Sequence, residues 1–236
     1  MIDTLVFSFT RKLAKEKNLD RIVWLYKQTA EKAKQFYKVK LFTDTESSRL
    51  FENTDYDDLT LIETDSIILL DDMKLSVLRY LNHNELLIDG DIYLREKLCL
   101  EQDCDILCEA GYDRLYSPQS ILTLNYYLSL GIQDIIPFFD DKCNIVPNIG
   151  ILYFKSRDLE NEYLDWYAIF KKWIIQNSLH EIRYTDKGRI NPPSAQGLLG
   201  AFAREKGKTI KYTRGLSNYT HYQLDIKYKE NFKIER

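Results

Sequence analysis

The sequence lacks an excess of charge of either sign. Its 33 basic and 36 acidic residues leave a formal net charge of −3, and the basic residues are spread along the chain. We therefore predict no positive field that would attract a nucleic acid or an anionic membrane surface. A strong nucleic-acid footprint is excluded at this level.

Long apolar runs are also missing. No uncharged apolar stretch of the sequence approaches the ~20 residues that a helix needs to span a bilayer. The first residues, MIDTLVFSFTRKL, have a short apolar stretch with no basic residue ahead of it and no small-residue cleavage site. We interpret them as a buried strand and not as a secretion signal. The expectation is a soluble, cytoplasmic protein without a membrane span.

The four cysteines form no CxxC pair of the kind that binds structural zinc. Cys104 and Cys108 lie around the apolar stretch DILCE, where we expect small buried residues with free thiols. Internal repeats, low-complexity tracts and Gly/Ser linkers are absent as well, so residues 1–236 are predicted to form a single domain.

Short apolar runs alternate with stretches of helical period, which is typical of an α/β fold with a mostly parallel central sheet flanked by helices. Helices are predicted from Asp20, over MKLSVLRYL, from Pro118, through Leu159 and through Leu198. The tail after residue 213 is polar and is predicted to be an irregular extension. Strands are predicted at residues 5–9, 39–42, 59–64, 85–94, 105–109, 148–154 and 209–213.

Asp89, Gly90 and Asp91 interrupt the apolar segment ELLIDGDIYL. Alternation along a strand points the two carboxylates to the same side, and the glycine lets a ligand approach the backbone. A solvated turn is the alternative interpretation, but apolar residues on both flanks make two acids costly unless they bind something. Carboxylates of this kind hold a hard divalent cation.

The segments LLIDGDIYL, PNIGILYFKS and SAQGLL, followed by a late histidine, resemble the GT-A glycosyltransferases. The resemblance is strongest to the glycogenin and bacterial lipopolysaccharide galactosyltransferase group. It implies a Rossmann-like GT-A fold, with a nucleotide-binding part at about residues 1–110 and an acceptor part with the C-terminal extension at about residues 111–236. It also implies transfer of a hexose from a nucleotide-diphosphate sugar, most naturally a UDP-sugar, with Mn²⁺ or Mg²⁺.

In that family the first Asp of the motif contacts ribose and metal and the second binds metal, which corresponds to Asp89 and Asp91. A basic residue of the preceding helix reaches the donor, and Lys74 and Arg79 are the two candidates, each with a plain surface charge as its alternative. The resemblance further implies that the strand-end residues Thr10, Thr43 and Asp44 contact the nucleoside. Thr43 and Asp44 are equally well explained as helix or turn caps.

The family's Asn-x-Gly corresponds to Asn148 and Gly150, which implies contacts with the sugar. Gln196 corresponds to the Gln of an Asp-Gln pair near the reacting carbon, but Ala195 stands where the acid is usual. Without an acid beside Gln196, the resemblance favours a retaining transfer. His221 and Lys227 match the family's last metal ligand and a phosphate-binding lysine, although Leu224 replaces the glycine between them.

Two other classes of function remain open. A haloacid-dehalogenase-like phosphatase would use Asp89 as nucleophile and Asp91 as acid, but its motif is usually near the N-terminus and Leu94 occupies the expected hydroxyl position. A catalytically inactive GT-A protein that binds a sugar or a protein is the other. The acceptor is undetermined among a glycan, a lipid-linked sugar, a protein and a modified nucleobase.

Overall fold

A computed structural model gives the structure of the chain. It describes residues 2–13, 18–54, 56–63, 69, 71–98, 100, 103–113, 118–137, 139, 145–181, 195–213 and 219–221.

The centre of the fold is a seven-stranded sheet with the order β3-β2-β1-β4-β7-β6-β8. Neighbouring strands are parallel except at β7, which runs antiparallel to β4 and β6. Two short strands, β5 and β9, form a separate antiparallel pair. The strands are β1 (Thr4–Phe9), β2 (Lys38–Thr43), β3 (Asp58–Leu61), β4 (Glu85–Ile88), β5 (Ile92–Leu94), β6 (Ile106–Asp113), β7 (Ile145–Phe154), β8 (Ile210–Tyr212) and β9 (Tyr219–His221).

Helices cover both faces of this sheet, because its strands carry apolar side chains on both sides. One face packs against a core that includes residues of α3, α4, α5 and α6, and the other packs against α1 and β5. The predicted α/β fold with a mostly parallel central sheet flanked by helices is therefore confirmed. The helices are α1 (Leu19–Ala33), α2 (Thr45–Ser48), α3 (Asp72–Leu78), α4 (Pro118–Ser129), α5 (Arg157–Gln176) and α6 (Ala195–Glu205).

Two local predictions are wrong. The single strand predicted over 85–94 is two strands, because the chain turns after Ile88. Helix α1 begins at Leu19 and has Asn18 as its N-cap, so Asp20 lies in the first turn instead of capping it. The polar tail, predicted as an irregular extension, also carries the three-residue strand β9.

Cys104 and Cys108 are buried free thiols, as predicted, and burial raises the pKa of both. No helix in the described part of the chain is both long enough and apolar enough to cross a membrane.

Glu160 lies in the first turn of α5, is buried, and pairs with Arg157. The Arg157 side chain also donates to the Leu78 carbonyl at 3.0 Å, which ties α5 to α3. Burial raises the pKa of Glu160 to about 7, against the lowering effect of Arg157. The unfolded chain releases this proton near pH 4.5, so the folded protein binds the extra proton between those two values.

We therefore expect the free energy of unfolding to fall as the pH rises from about 4.5 to about 7, by on the order of 1–3 kcal/mol from this group. The Glu160→Gln variant should flatten that part of the profile, which urea denaturation at several pH values measures. Glu162→Gln is the matched control, since Glu162 is on the same helix but half exposed and paired with Lys206. Equal slopes in the wild type and Glu160→Gln would contradict the prediction.

Candidate functional site

The carboxyl ends of β1, β2 and β4 meet at one edge of the sheet, because these strands are parallel neighbours. Thr10, Asp44 and Asp89 each follow directly after one of them. Strand β7 enters this edge from the opposite direction and brings Asn148 and Gly150 beside the end of β4. Residues predicted from separate sequence motifs therefore lie along the edge where open α/β sheets bind their ligands.

Asp89, Gly90 and Asp91 form a turn between β4 and β5. The Asp89 N–H donates to the Gly150 carbonyl at 2.7 Å, and the Ile92 N–H donates back to the Asp89 carbonyl at 3.1 Å. We expected the alternation of side chains along a strand to place the two carboxylates on one side. That reason is wrong, because the two residues lie in a turn and not in a strand. Both carboxylates still lie near the same two side chains, since the charges of both act on Tyr26 and Lys74.

Gly90 is buried beneath the ring of Tyr26, a residue of α1. A Cβ atom at position 90 would lie 2.2 Å from Cζ and 2.3 Å from Cε2 of that ring. The Tyr26 hydroxyl donates to the Ser8 carbonyl at 2.9 Å, which fixes the ring between β1 and the turn. Burial and the charges of Asp89 and Asp91 raise the pKa of Tyr26 well above its ordinary value, so it stays neutral.

Tyr26 was not predicted as a site residue. Its position on the buried face of α1 gives the same sequence pattern as a core aromatic. In the structure its ring packs against the Asp89–Asp91 turn at Gly90.

Lys74 reaches the same turn from the start of α3. Its ammonium lies 2.5 Å from Oδ1 of Asp89 and donates to the Ile149 carbonyl at 3.0 Å. Burial alone would lower the pKa of Lys74, but the charges of Asp89, Asp71 and Asp91 raise it above its ordinary value. Arg79, the other candidate, is exposed at the far end of α3. Of these two candidates, Lys74 is the one that lies beside the Asp89–Asp91 turn, and its contact with a donor stays a prediction.

Asn148 and Gly150 form a compact local arrangement in β7. Oδ1 of the buried Asn148 accepts the Gly150 N–H at 2.8 Å, while the Gly150 carbonyl accepts from Asp89. The register of β6 against β7 shifts here, between Cys108 and Ala110. The Asn-x-Gly segment is therefore held in place against the acidic turn.

Asp71 was not predicted to have a role beyond starting α3. Its Oδ2 accepts the Ala195 N–H at 2.8 Å, at the first residue of α6, and the Tyr163 hydroxyl donates to the Ala195 carbonyl at 2.9 Å. These bonds fix the end of α6 that carries Gln196. The carboxylate of Asp71, the N-cap residue of α3, thus contacts the backbone of Ala195, the residue before Gln196.

The neighbouring Asp72 has a different environment. It accepts from the Tyr167 hydroxyl at 2.7 Å, the Lys171 ammonium at 2.9 Å and the Leu69 N–H at 2.7 Å. Because its partners include two residues of α5, Asp72 is a structural link between α3 and α5. The sequence shows only two adjacent acids at the start of a helix, and nothing in it assigns different roles to Asp71 and Asp72.

Asp44 caps α2, as the alternative interpretation proposed: its side chain accepts the Ser47 N–H at 2.8 Å and the Ser47 hydroxyl at 2.7 Å. Although burial opposes it, hydrogen bonds from Ser47 and Thr10 hold the pKa of Asp44 below its ordinary value. Thr43 is fully buried, and its hydroxyl has no hydrogen-bond partner among the described residues. The polar side chains at the ends of β1 and β2 are therefore buried in the folded protein. Their contact with a nucleoside stays a prediction.

The backbone of His221 pairs with Ile92, the residue directly after Asp91. Strand β9 thus places the backbone of His221, the predicted third metal ligand, beside the residue that follows the motif. The side chain of His221 is outside what the structure describes. Lys227 lies outside the described residues altogether.

The donor set of the turn fits a divalent cation. Asp91 is only 9% exposed and Asp89 is 27% exposed at its side chain, and both supply the carboxylate oxygens that Mg²⁺ and Mn²⁺ prefer. No cluster of three or more His, Cys, Asp or Glu side chains capable of holding a metal occurs in the described part of the chain. A cation here would take two protein carboxylates and complete its shell with water or substrate phosphates.

No family model matches the sequence, and no curated protein matches it significantly. Among solved structures, the fold is similar to mouse xyloside xylosyltransferase 1, with a TM-score of 0.46, 10% identity, and coverage of 90% of this chain and 85% of that one. It is also similar to the PaToxG glycosyltransferase, with a TM-score of 0.46, 14% identity, and coverage of 86% and 70%. For the glycosyltransferase GlyE of Streptococcus pneumoniae the TM-score is 0.44 at 12% identity, with coverage of 89% and 45%.

Proposed function

We propose that the chain is a metal-dependent glycosyltransferase that moves a hexose from a nucleotide-diphosphate sugar, a UDP-sugar by preference, to an acceptor. The observation that carries the proposal is the buried Asp89–Gly90–Asp91 turn at the carboxyl edge of the sheet, with the Lys74 ammonium on Asp89. Two carboxylates and one fixed cation at such an edge suit a ligand that is both anionic and metal-bound.

Each side chain has a task in this proposal. A bound Mn²⁺ or Mg²⁺ supplies the positive charge that stabilises the departing diphosphate. Asp89 and Asp91 would hold that ion, and Gly90 leaves room for the Tyr26 ring that shapes the turn. Lys74 supplies a point charge for a phosphate oxygen.

The sugar would lie toward β7 and α6. Asn148 and Gly150 border the turn on one side, and Gln196 is carried on the end of α6 that Asp71 holds. Asp71 is buried and its carboxylate accepts a backbone N–H, so it serves to position α6. An inverting transfer needs a carboxylate base that reaches the acceptor hydroxyl, and with Asp71 committed to α6 we propose retention.

The test is to incubate the protein with a panel of nucleotide sugars and to measure release of the nucleoside diphosphate, with Mn²⁺ or Mg²⁺ and then with a chelator. We expect slow hydrolysis of one donor that requires the metal and stops when the metal is removed. Calorimetry with the matching nucleoside diphosphate provides a second, activity-independent measurement.

Hydrolysis of small phosphoesters without binding of any nucleotide would overturn the proposal in favour of a phosphatase with Asp89 as nucleophile. Binding of neither nucleotides nor metal by folded protein would also overturn it, in favour of a non-enzymatic binding protein.

A further inference from the structure

The Lys74 ammonium takes one of the oxygens that a divalent cation would need. Its contact with Asp89 is 2.5 Å long, and its second contact is with the carbonyl of Ile149, between Asn148 and Gly150. The Lys74 side chain is only 13% exposed, so solvent screens its charge little. Lys74 is therefore a resident cation of the acidic turn.

The Lys74 ammonium lies against the carboxylate of Asp89, and the charges of Asp71 and Asp91 also act on it. A divalent ion on Asp89 and Asp91 would meet a fixed positive charge a few ångströms away, which costs more at a buried edge than in water. The charge of Lys74 therefore weakens metal binding unless another anion lies nearby.

A second anionic neighbour is built into α3. Asp71 lies three residues before Lys74, the spacing at which side chains on a helix are neighbours, and its charge already acts on Lys74. The diphosphate of a nucleotide would add a third anionic partner on the open side of the edge. Lys74 thus has other anions to pair with when a metal takes Asp89.

We propose that Lys74 competes with the divalent cation for Asp89, and that the donor diphosphate relieves this competition by taking over Lys74. Metal alone then binds weakly, and metal and nucleotide bind with positive cooperativity. By linkage, each must raise the affinity of the other by the same factor. This inference rests on the proposed function, because it assumes that the turn binds a metal and a diphosphate.

The experiment measures Mn²⁺ affinity by calorimetry or electron paramagnetic resonance, with and without UDP as the probe nucleotide. In the wild type, UDP is expected to tighten Mn²⁺ binding by roughly 10-fold or more. Lys74→Met should tighten Mn²⁺ binding in the absence of UDP by a similar factor and should reduce the effect of UDP. Lys74→Gln, which keeps a donor for the Ile149 carbonyl, is a second variant if Lys74→Met does not fold.

Lys171→Met is the matched control. Lys171 forms a second buried lysine–aspartate pair, at 2.9 Å from Asp72, with 18% of its side chain exposed. It should leave Mn²⁺ affinity and the effect of UDP unchanged.

The outcomes separate the two proposals. If the wild type binds Mn²⁺ and UDP but the neutral variants at position 74 bind Mn²⁺ no more tightly, the competition is refuted while the proposed function stands. If the folded wild type binds neither, the proposed function itself fails.

Discussion

Under the proposed function, replacing Asp91 with asparagine is expected to reduce metal-dependent donor hydrolysis by on the order of 10²-fold or more, because one of the two proposed carboxylate ligands of the metal is lost. Asparagine keeps the size of the side chain, and the charges of Asp89 and Asp71 continue to act on the Lys74 ammonium. The melting temperature should therefore change little. Mn²⁺ affinity and release of nucleoside diphosphate measure the first effect, and thermal unfolding measures the second.

Asp89→Asn is expected to lose activity to a similar extent and to lose stability as well. The change removes the carboxylate that lies 2.5 Å from the buried Lys74 ammonium, which leaves that charge with weaker compensation. Asp71 remains close enough to act on Lys74, so we expect a cost of about 1–3 kcal/mol, below that of a fully orphaned charge.

Asp72→Asn is the control for both changes. It disturbs a buried carboxylate of α3 that accepts hydrogen bonds from Tyr167 and Lys171, so stability should fall while Mn²⁺ affinity stays the same. If the Asp91→Asn protein keeps full Mn²⁺ affinity, Asp91 is not a ligand of the metal.

Gly90→Ala is expected to be the most disruptive single-methyl change at the site. The new Cβ would lie 2.2 Å from the Tyr26 ring, and that ring is held by its bond to Ser8 and packed edge-on against Phe9, with ring centroids 5.3 Å apart. Either the ring or the turn must move. We expect a loss of about 2–3 kcal/mol in the free energy of unfolding, together with weaker metal binding.

A double-mutant cycle identifies the cause. Tyr26→Ala removes the ring, so adding Gly90→Ala to it should cost far less than Gly90→Ala costs alone. Gly207→Ala is a useful comparison, since Gly207 has a φ of 59° but nothing near its would-be Cβ, and it reports backbone strain alone. If the effects of the two substitutions on the free energy of unfolding are additive, the Tyr26 ring is not the reason that position 90 requires glycine.

Much of the sheet follows from sequence pattern. Strands such as β1 and β7 are largely buried on both faces, so each appears in the sequence as an apolar run. The turn at Asp89 was missed because the apolar residues of β5 continue the pattern of β4. The short strand β9 was missed because a three-residue strand in a polar segment leaves no period to detect.

The site divides in the same way. Asp89 and Gly90 lie beside Asn148 and Gly150 because β4 and β7 are antiparallel neighbours, and Lys74 reaches them from α3. The contacts of Asp71 with α6 and of Tyr26 with Gly90 depend on how two helices pack, which no local pattern encodes.

The pairing of β9 with β5 has a consequence for how the molecule is made. More than half of the chain separates Ile92 from His221, which are partners in that pairing. Contacts between such distant positions form late, because a long loop must close first. On a ribosome the residue after Asp91 waits for its partner strand until residues 219–221 have been made, so this pairing beside the acidic turn forms only after every strand of the seven-stranded sheet has been synthesised.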